Sequence, residues 1–390
     1  MQIITKFQQF IKRPIFSEKR TLLGLWLLIG IVSALCKLHS HNNFVIFRNV
    51  FWHTIDKLPL YNYYPNEYSD HNLYGPFFSF IIAPFALMPE WLGLILWCTA
   101  LSMFLYWAIR KSTLNNYQQI FIFWFCAHEL LTALFMQQFN VAIVAIIILS
   151  FGLVEKEKDE WATFFIVIGT LVKLYGIVGL AFFPFSKHKQ RYIISLVLWF
   201  AVLICMPAIF SGFDFQIEQY KEWLECLMDK NAENADSIAQ NISLLGIVHR
   251  VGHFSFNDLI IIIPGLLIFA TPYLCFNRYK NAAFRQTILA STLMFVCLFS
   301  TGTESSGYII ALTGTAIWYT AAPWERTKWD VALMVFAFIL TSLSPSDLFP
   351  AYIRKEYVQP YALKALPVAL IWFKLSYELI RMDYSNEATD

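Results

Sequence analysis

The sequence predicts an all-α, polytopic membrane protein, a bundle of about 10 to 12 transmembrane helices in a single integral membrane domain over residues 1–390. The composition predicts this fold, because 58% of the residues are hydrophobic and only 14% are charged. An ordinary soluble domain has roughly 25% charged residues. So few charges could not cover the surface of soluble domains of this length. The net charge of +2 also excludes nucleic-acid binding by bulk electrostatics.

A basic N-terminal segment precedes the first predicted transmembrane helix. Five lysines and arginines lie within residues 1–20, and an apolar run follows over residues 21–38. No small-residue cleavage site follows this run, so it does not resemble a signal peptide. The run is long enough to cross a bilayer. Because basic flanks stay in the cytoplasm, we expect residues 1–20 to be cytoplasmic.

Basic clusters in the connections predict the topology of the remaining segments. If every cluster is cytoplasmic, residues 39–75 and 211–257 form the two larger extracytoplasmic loops, and the tail 381–390 is cytoplasmic. The clusters are Arg110-Lys111, Lys156/Lys158, Lys187/Lys189/Arg191, Arg278/Lys280/Arg285, Arg326/Lys328 and Arg381. The apolar runs lie at about 76–88, 91–109, 118–135, 139–154, 161–184, 192–210, 259–276, 287–300, 308–321, 331–344 and 361–380.

Two apolar stretches do not have the pattern of single transmembrane helices. Residues 76–109 must cross the membrane an odd number of times, yet two prolines and Glu90 interrupt them. Residues 161–184 lie between two basic clusters and should cross out and back, but about twelve helical residues rise only about 18 Å. We therefore expect two half-helices that bend near Lys173. Irregular backbone at that depth is tolerated only where it is buried in protein or lines a cavity, so the bend should face a cavity open to the outside.

Each of the two large loops is predicted to carry an amphipathic helix on the membrane surface. Apolar side chains recur there at spacings of three to four residues. They are Phe44, Phe47, Val50 and Phe51 in the first loop, and Phe215, Ile217, Tyr220, Trp223, Leu224 and Leu227 in the second. The polar stretch 229–236 that follows predicts a flexible loop.

Polar residues near the outer membrane face are the candidates for chemistry, because polar groups are costly in a membrane. In the first loop, tyrosines are interleaved with carboxylates. This pattern suits sugar binding by stacking and hydroxyl hydrogen bonds, and the alternative interpretation is an interfacial aromatic belt. Lys173, in the middle of an apolar segment, indicates an anion partner or a hydrated cavity. Residues 137–140 and 301–306 are polar turns or parts of a site. Histidines and cysteines form no metal or redox pattern, and there is no Walker A loop, HExxH or GxSxG.

Several short motifs follow one another in a recognisable order. They are Asn43-Phe44-x-Ile46-Phe47, Leu60-Tyr61, Tyr74-Gly75-Pro76, Gln138-Phe139-Asn140, Lys173-Leu174 and Asn241-x-Ser243-Leu244. In this order they resemble glycosyltransferase family 87 over about residues 20–340. The last three motifs resemble the G-Q-x-N, K-hydrophobic and N-x-S-L elements of that family. The chain differs from the family at the positions Asn43 (an acidic residue in the family), Gln137 (glycine) and Thr303-Glu304-Ser305 (an aromatic-His element).

The resemblance implies a GT-C architecture and transfer of a sugar, typically mannose, from a polyprenyl-phosphate donor to a lipid-linked or cell-envelope glycan acceptor. We expect inversion at the sugar, no cofactor and no metal. The implied location is the cytoplasmic (inner) membrane of a bacterium, with the active site on the extracytoplasmic side. Two other classes stay open from the residues alone. One is a transporter or flippase of a lipid-linked glycan, and the other is a non-catalytic subunit of an envelope assembly complex.

An inverting transfer needs a carboxylate that takes the proton of the acceptor hydroxyl. We expect Asp70 in this role, followed by Glu304 and Glu67, because residues 67–70 lead to the point where the loop re-enters the membrane. The expected phosphate-binding residues are Lys173, assisted by Arg48 or Arg250. The expected sugar- or acceptor-binding residues are Asn43, Tyr74, Gln138, Asn140 and Asn241.

Overall fold

The computed structural model describes residues 13–234, 237–252 and 257–384, and these residues form helices and connections without a strand. The predicted all-α fold is therefore confirmed. Residues 1–12 of the predicted cytoplasmic segment, residues 385–390 of the tail and residues 235–236 of the predicted flexible loop lie outside the described residues.

The described residues form a series of α-helices. They are α1 (Lys19–Cys36), α2 (Asn42–Asp56), α3 (Phe78–Ala86), α4 (Glu90–Lys111), α5 (Asn116–Phe125), α6 (Ala127–Leu134), α7 (Asn140–Glu155), α8 (Asp159–Val172), α9 (Lys189–Cys205), α10 (Ala208–Ser211), α11 (Phe213–Asn234), α12 (Leu244–Gly252), α13 (Leu259–Ala270), α14 (Ala282–Leu298), α15 (Tyr308–Ala321), α16 (Lys328–Phe336), α17 (Ala351–Ile353) and α18 (Leu366–Arg381). Tighter or wider turns occupy Pro14–Phe16, Leu174–Phe185, Thr271–Leu274, Phe276–Arg278, Ser305–Gly307, Ala337–Leu343, Arg354–Val358 and Leu363–Ala365.

Among the residues that the structure describes, three helical stretches are long and apolar enough to cross a membrane, namely Lys19–Cys36, Glu90–Lys111 and Lys189–Ser211. Shorter apolar helices accompany them, namely Asn140–Glu155, Leu174–Phe185, Leu259–Leu274 and Ala282–Leu298. On α9, Ile194, Val197 and Leu198 are exposed, as expected for a surface in contact with lipid. The chain is therefore a polytopic helical membrane protein, while the total of about 10 to 12 membrane segments stays a prediction.

The basic clusters gather on one face of the bundle, as the predicted topology requires. Contacts that connect them are Lys156 with the Lys111 carbonyl (2.5 Å), Lys187 with Glu157 (2.6 Å), Arg285 with Glu155 (2.7 Å), Arg278 with the Leu379 carbonyl (2.5 Å) and Arg326 with Glu378 (3.2 Å). The hydrogen bond from Lys187 lowers the pKa of the Glu157 carboxyl, which lies in a connection outside the membrane segments. We call this side the basic face and the opposite side, where the two large loops meet, the loop face.

Residues 76–109 cross the bundle once. The nine-residue helix α3 rises only about 14 Å, which is too short for the hydrocarbon layer. Arg48 donates to the Ala86 and Met88 carbonyls at its end (3.3 and 3.4 Å), so α3 stays at the loop face. The 22-residue helix α4 then runs from Glu90 to the basic face.

The chain reverses direction at Lys173, and the predicted pair of half-helices is confirmed. Helix α8 ends at Val172, Lys173 is extended (φ −144°), and the tight helix Leu174–Phe185 returns antiparallel to α8. A Cβ atom at Gly176 would lie 2.2 Å from the carbonyl carbon of Gly169. Only glycine permits this close approach of the two half-helices.

The helices predicted in the two large loops, α2 and α11, are both present. The predicted flexible loop is wrong over residues 229–234, because α11 continues to Asn234. Lys230 and Glu233 form an ion pair across one turn (3.1 Å), and Asn231 accepts a hydrogen bond from the Thr301 hydroxyl. These contacts hold the end of the helix, although its sequence is as polar as that of a loop.

Helix α7 passes through the centre of the bundle. Its residues 140–152 are all buried, as expected for a helix that is apolar on every side and is surrounded by other helices. Its N-terminal residue, Asn140, is therefore fixed at the loop face by the packing of the whole helix.

Candidate active site

A cavity of about 700 Å³ opens at the loop face between the two large loops and the Lys173 bend. The first loop contributes Asn43, Asp70 and Tyr74, and the bend contributes Lys173 and Tyr175. The other lining residues are Ile46, Phe47, His71, Leu73, Gln138, Leu174, Trp223, Leu224, Leu227, Met228, Lys230, Asn231, Asn234, Gln240, Ser300, Thr301, Gly302 and Glu304. The cavity therefore brings together residues separated by more than 250 positions in the sequence.

Two glutamines hold the Glu304 carboxylate in this cavity. Gln138 donates its side-chain amide to Oε2 of Glu304 (2.7 Å), and Gln240 donates to Oε1 (2.9 Å). Each oxygen thus has one fixed amide donor, which determines the orientation of the carboxylate. The second lone pair of each oxygen is available to a substrate hydroxyl.

Lys173 is connected to Glu304 through two amide side chains. Its ammonium donates to Oδ1 of Asn140 (2.7 Å), and Nδ2 of Asn140 donates to Oε1 of Gln138 (2.8 Å). The ammonium also lies over the Tyr175 ring, 4.8 Å from its centroid. Lys173 pairs with no carboxylate among the residues that the structure describes. A cation held by an amide and an aromatic face in a cavity is suited to an anionic ligand.

The turn before α7 is anchored on several sides. Trp97 donates its indole N–H to the Gln137 carbonyl (2.7 Å), and Asn43 donates to the Met136 carbonyl (2.9 Å). Gln137 has a left-handed backbone (φ 52°), a conformation that favours glycine. The G-Q-x-N pattern has glycine at this position, so the structure gives the physical reason for that residue.

Tyr74 joins the first loop to this turn. Its hydroxyl accepts a hydrogen bond from the Phe139 N–H (2.9 Å), and its ring stacks on Phe47 at 4.8 Å. The next residue, Gly75, donates to the Val172 carbonyl (3.1 Å), and a Cβ there would lie 2.1 Å from the Leu171 carbonyl oxygen. Tyr74 thus lines the cavity mainly as a structural residue, and most of the other loop tyrosines also pack into the protein.

Asp70 lies at the exposed mouth of the cavity. Its Oδ1 accepts a hydrogen bond from the N–H of His71 (2.8 Å). No other hydrogen bond or ion pair of this carboxylate is found among the described residues, so Oδ2 is available to a ligand. Its backbone has φ 100°, which is unfavourable for a residue with a side chain.

Five residues that the sequence predicted for the site do not line the cavity. Oε2 of Glu67 lies 2.9 Å from Nε2 of His53. Nη1 of Arg48 forms an ion pair with Oε2 of Glu90 (2.7 Å). Arg250 donates to the Ser237 and Gln240 carbonyls (2.7 Å each), and so it shapes the loop that carries Gln240.

Asn241 is the fourth predicted residue that does not line the cavity, and it supports the site through its backbone N–H. It is buried with φ 51°, and its N–H donates to the Thr301 carbonyl (2.8 Å). This pairing fixes the 301–304 tip next to residue 240. Asn140 is also buried beneath the cavity wall and reaches it only through its bonds to Lys173 and Gln138.

The structure adds site residues that sequence reasoning missed. Lys230 and Asn234 line the cavity because α11 continues through a stretch predicted to be a loop. Asn234 is 5% exposed, and its Oδ1 has no hydrogen-bond donor among the described residues. Gln240 also lines the cavity, where its amide donates to the Glu304 carboxylate. The sequence signal for Lys230 is the amphipathic periodicity of α11, which, if continued past Leu227, would have placed Lys230 on the same helix.

Burial and the neighbouring Glu67 carboxylate raise the pKa of Tyr68 well above its ordinary value. Burial likewise raises the pKa of Tyr64, again with Glu67 nearby. These phenols therefore stay protonated at neutral pH and cannot serve as bases. Among the first-loop residues that line the cavity, the Asp70 carboxylate and the His71 imidazole remain the candidates for that role.

These observations define a polytopic helical membrane protein whose cavity at one face combines two lysines and two carboxylates with apolar side chains. The family model of glycosyltransferase family 87 matches residues 72–301, which is more than half of the chain. The chain therefore belongs to glycosyltransferase family 87 and is a membrane glycosyltransferase. The match contains Tyr74, Gln138, Asn140, Lys173 and Asn241, which carried the resemblance in the sequence. No curated protein matches the sequence significantly.

Proposed function

We propose that this glycosyltransferase moves a hexose, mannose-like, from a polyprenyl-phosphate donor to a lipid-linked or cell-envelope glycan, with inversion. The reaction would take place on the outer face of a bacterial cytoplasmic membrane. The observation that carries the proposal is that Lys173, Asp70 and Glu304 line one cavity whose remaining wall includes apolar side chains of α11. Such a cavity offers separate surfaces to a phosphate, to a sugar and to an isoprenoid chain.

The donor phosphate would bind to Lys173. An ammonium without a carboxylate partner is a compact positive charge for a phosphate oxygen. Lys230, which also lines the cavity, is the second candidate cation. Arg48 and Arg250 are occupied by Glu90 and by backbone carbonyls, respectively.

The isoprenoid chain would lie along α11. Leu224 and Met228 line the cavity and are 55% and 65% exposed, so they present apolar surface on the way from the membrane to Lys173. Apolar surface of this kind is stabilised by contact with a lipid chain.

The chemistry is a single displacement at the anomeric carbon. The acceptor hydroxyl oxygen forms the new bond, the bond to the phosphate oxygen breaks, and the polyprenyl phosphate leaves with the electron pair. Asp70 takes the acceptor proton with its free carboxylate oxygen. Lys173 stabilises the charge that develops on the leaving phosphate. Glu304, held by two amides, orients hydroxyl groups of the sugar or the acceptor.

Purified protein with radiolabelled polyprenyl-phosphate mannose and a polar lipid extract of the source membranes tests the proposal. We expect consumption of the donor and a labelled product. Asp70→Asn should lower turnover at least about a hundredfold, and Glu304→Gln should lower it as well. Glu67→Gln is the matched control and should keep wild-type turnover, because Glu67 faces His53. Donor binding without any product would instead indicate a flippase or a non-catalytic subunit.

If Asp70→Asn keeps wild-type turnover and Glu304→Gln loses about a hundredfold, Glu304 is the base. If both keep wild-type turnover, neither carboxylate takes the proton and the proposed mechanism is wrong. Each variant is compared with wild type for expression and for donor binding, since a base should affect turnover and leave donor affinity unchanged.

A further inference from the structure

We infer that Lys364 and Glu129 form a buried positioning pair that fixes the tip carrying Glu304, and so aims its carboxylate into the cavity. The inference rests on the proposed function, because it concerns the same site. Neither residue lines the cavity, and neither was a candidate from the sequence.

The pair is fully enclosed and is bonded directly to the tip. The Lys364 ammonium is 2.8 Å from Oε1 of Glu129, and the side chains are 4% and 0% exposed. The same ammonium donates to the Ser305 carbonyl (2.8 Å) and to the Ser305 hydroxyl (3.0 Å). Ser305 is adjacent to Glu304 in the chain. Lys364 therefore holds the backbone of the tip directly beneath the carboxylate.

The other side of the tip is held by amides that lead to Lys173. The Ser306 hydroxyl donates to Oε1 of Gln138 (2.9 Å), and Gln138 is bonded to Glu304. Without Lys364, the tip would keep these bonds, the bond from Gln240, and the backbone bonds from Asn241 and Ile242 to Thr301 and Thr303. Ser305 would lose the two bonds that its carbonyl and hydroxyl accept from Lys364. The tip is a short connection between α14 and α15, and such connections are mobile unless they are fixed by bonds of this kind.

Packing alone does not explain the pair. A buried ion pair is often no more stabilising than apolar residues of similar size, because both charges lose their water. Here Oε2 of Glu129 is also buried without a hydrogen-bond donor among the described residues. The chain reaches Lys364 through Ala362 in a left-handed conformation (φ 52°), which is unfavourable for alanine. Charge and backbone geometry are thus both unfavourable at this point, which indicates a role in orienting the tip.

The test separates this role from stability by three variants of the full-length protein in detergent. Lys364→Met should lower kcat about a hundredfold, as expected for a misplaced catalytic group. The donor KM should stay within about threefold of wild type, because Lys173 is unchanged. The double variant Glu129→Leu/Lys364→Met removes both charges. It should recover the thermal stability of wild type but retain the loss of kcat.

Arg326→Met is the matched control, because it removes the cation of another buried ion pair, Arg326–Glu378, at the basic face. It should lower the melting temperature and leave kcat within about threefold of wild type. The probe is radiolabelled polyprenyl-phosphate mannose with the polar lipid extract.

The outcomes distinguish a failure of the proposed function from a failure of the positioning role of Lys364 and Glu129. A wild-type protein that consumes no donor overturns the proposed function. An active wild type together with a double variant that has wild-type kcat overturns only the positioning role. If Lys364→Met does not fold, the folded double variant still decides, because its kcat must stay low for the inference to hold.

Discussion

At the scale of single residues, the position of Asp70 is notable for its backbone as well as its carboxylate. Its φ of 100° is a conformation that favours glycine. Such strain costs on the order of 1–3 kcal/mol and is found preferentially at functional sites. The strained residue here is also the one at the cavity mouth with a free carboxylate oxygen.

Asp70→Gly should therefore stabilise the protein and inactivate it. The glycine variant gains the free energy of the relieved strain and loses part of it, because glycine has more conformational entropy in the unfolded chain. The net effect should be a rise in the free energy of unfolding of about 1 kcal/mol. Thermal unfolding in detergent and donor turnover are the two measurements. Asp70→Asn, which keeps the strain, should lower turnover without the gain in stability. A lower melting temperature for the glycine variant would contradict the strain interpretation.

Lys173→Met should weaken donor binding at least about tenfold, because a hydrogen bond to a charged group contributes about 1.5–3 kcal/mol. Equilibrium binding of the radiolabelled donor measures the effect. Lys37→Met is a control that removes a cation lying over the Phe135 ring outside the cavity. Equal donor affinity in wild type and Lys173→Met would remove Lys173 from the phosphate site.

At the scale of elements, the pair of half-helices decides where Lys173 lies. Its two arms touch at Gly169 and Gly176, where the backbones are in contact. Because backbone atoms cannot move aside as a flexible side chain can, a methyl group at Gly176 must push the arms apart.

Gly176→Ala should lower the free energy of unfolding by about 1–3 kcal/mol and displace Lys173, with a matching loss of donor binding. Gly24→Ala is the matched control, since a Cβ there meets nothing within 4 Å. In the interior of α1 it should be neutral or stabilising by up to about 1 kcal/mol. Equal melting temperatures for both variants would show that the arms are not tightly packed.

Helix α11 is the second element whose extent decides the site. Lys230→Ala should raise the donor KM severalfold if Lys230 assists Lys173 with the phosphate. Lys221→Ala, which breaks an exposed i,i+3 ion pair with Glu218 on the same helix but away from the cavity, should leave the donor KM unchanged. A donor KM that responds equally to both substitutions would indicate a general effect of charge at the loop face.

At the scale of the whole molecule, the two faces of the bundle differ in charge and in chemistry. The basic clusters meet at one face, and the cavity opens at the other. The positive-inside rule then predicts that the cavity faces away from the cytoplasm.

Accessibility labelling of single-cysteine variants tests this orientation. Ser69→Cys and Ser237→Cys, at the loop face, should react with an impermeant maleimide in intact spheroplasts. Lys187→Cys, whose parent side chain is 72% exposed at the basic face, should react only after permeabilisation. Labelling with the opposite pattern would place the active site in the cytoplasm.

Composition and periodicity were enough to predict the membrane class and the helices of the two large loops. The basic clusters on both sides of residues 161–184, together with the length of that stretch, were enough to predict the reversal at Lys173. These properties depend on local sequence, because the solvent preference of a segment and the spacing of its apolar residues are set by neighbours along the chain. The order of short motifs was likewise enough to indicate the family that the comparison then established.

The tertiary structure decided which residues form the site. Arg48, Arg250 and Glu67 have the right charges for their predicted roles, yet each is bonded to a partner that the sequence does not reveal. Lys364 and Glu129 are 235 positions apart and meet only because the bundle closes around them. Sequence alone fixes which residues can bear charge, whereas the fold decides which charges face the cavity, because pairing and burial depend on contacts between distant segments.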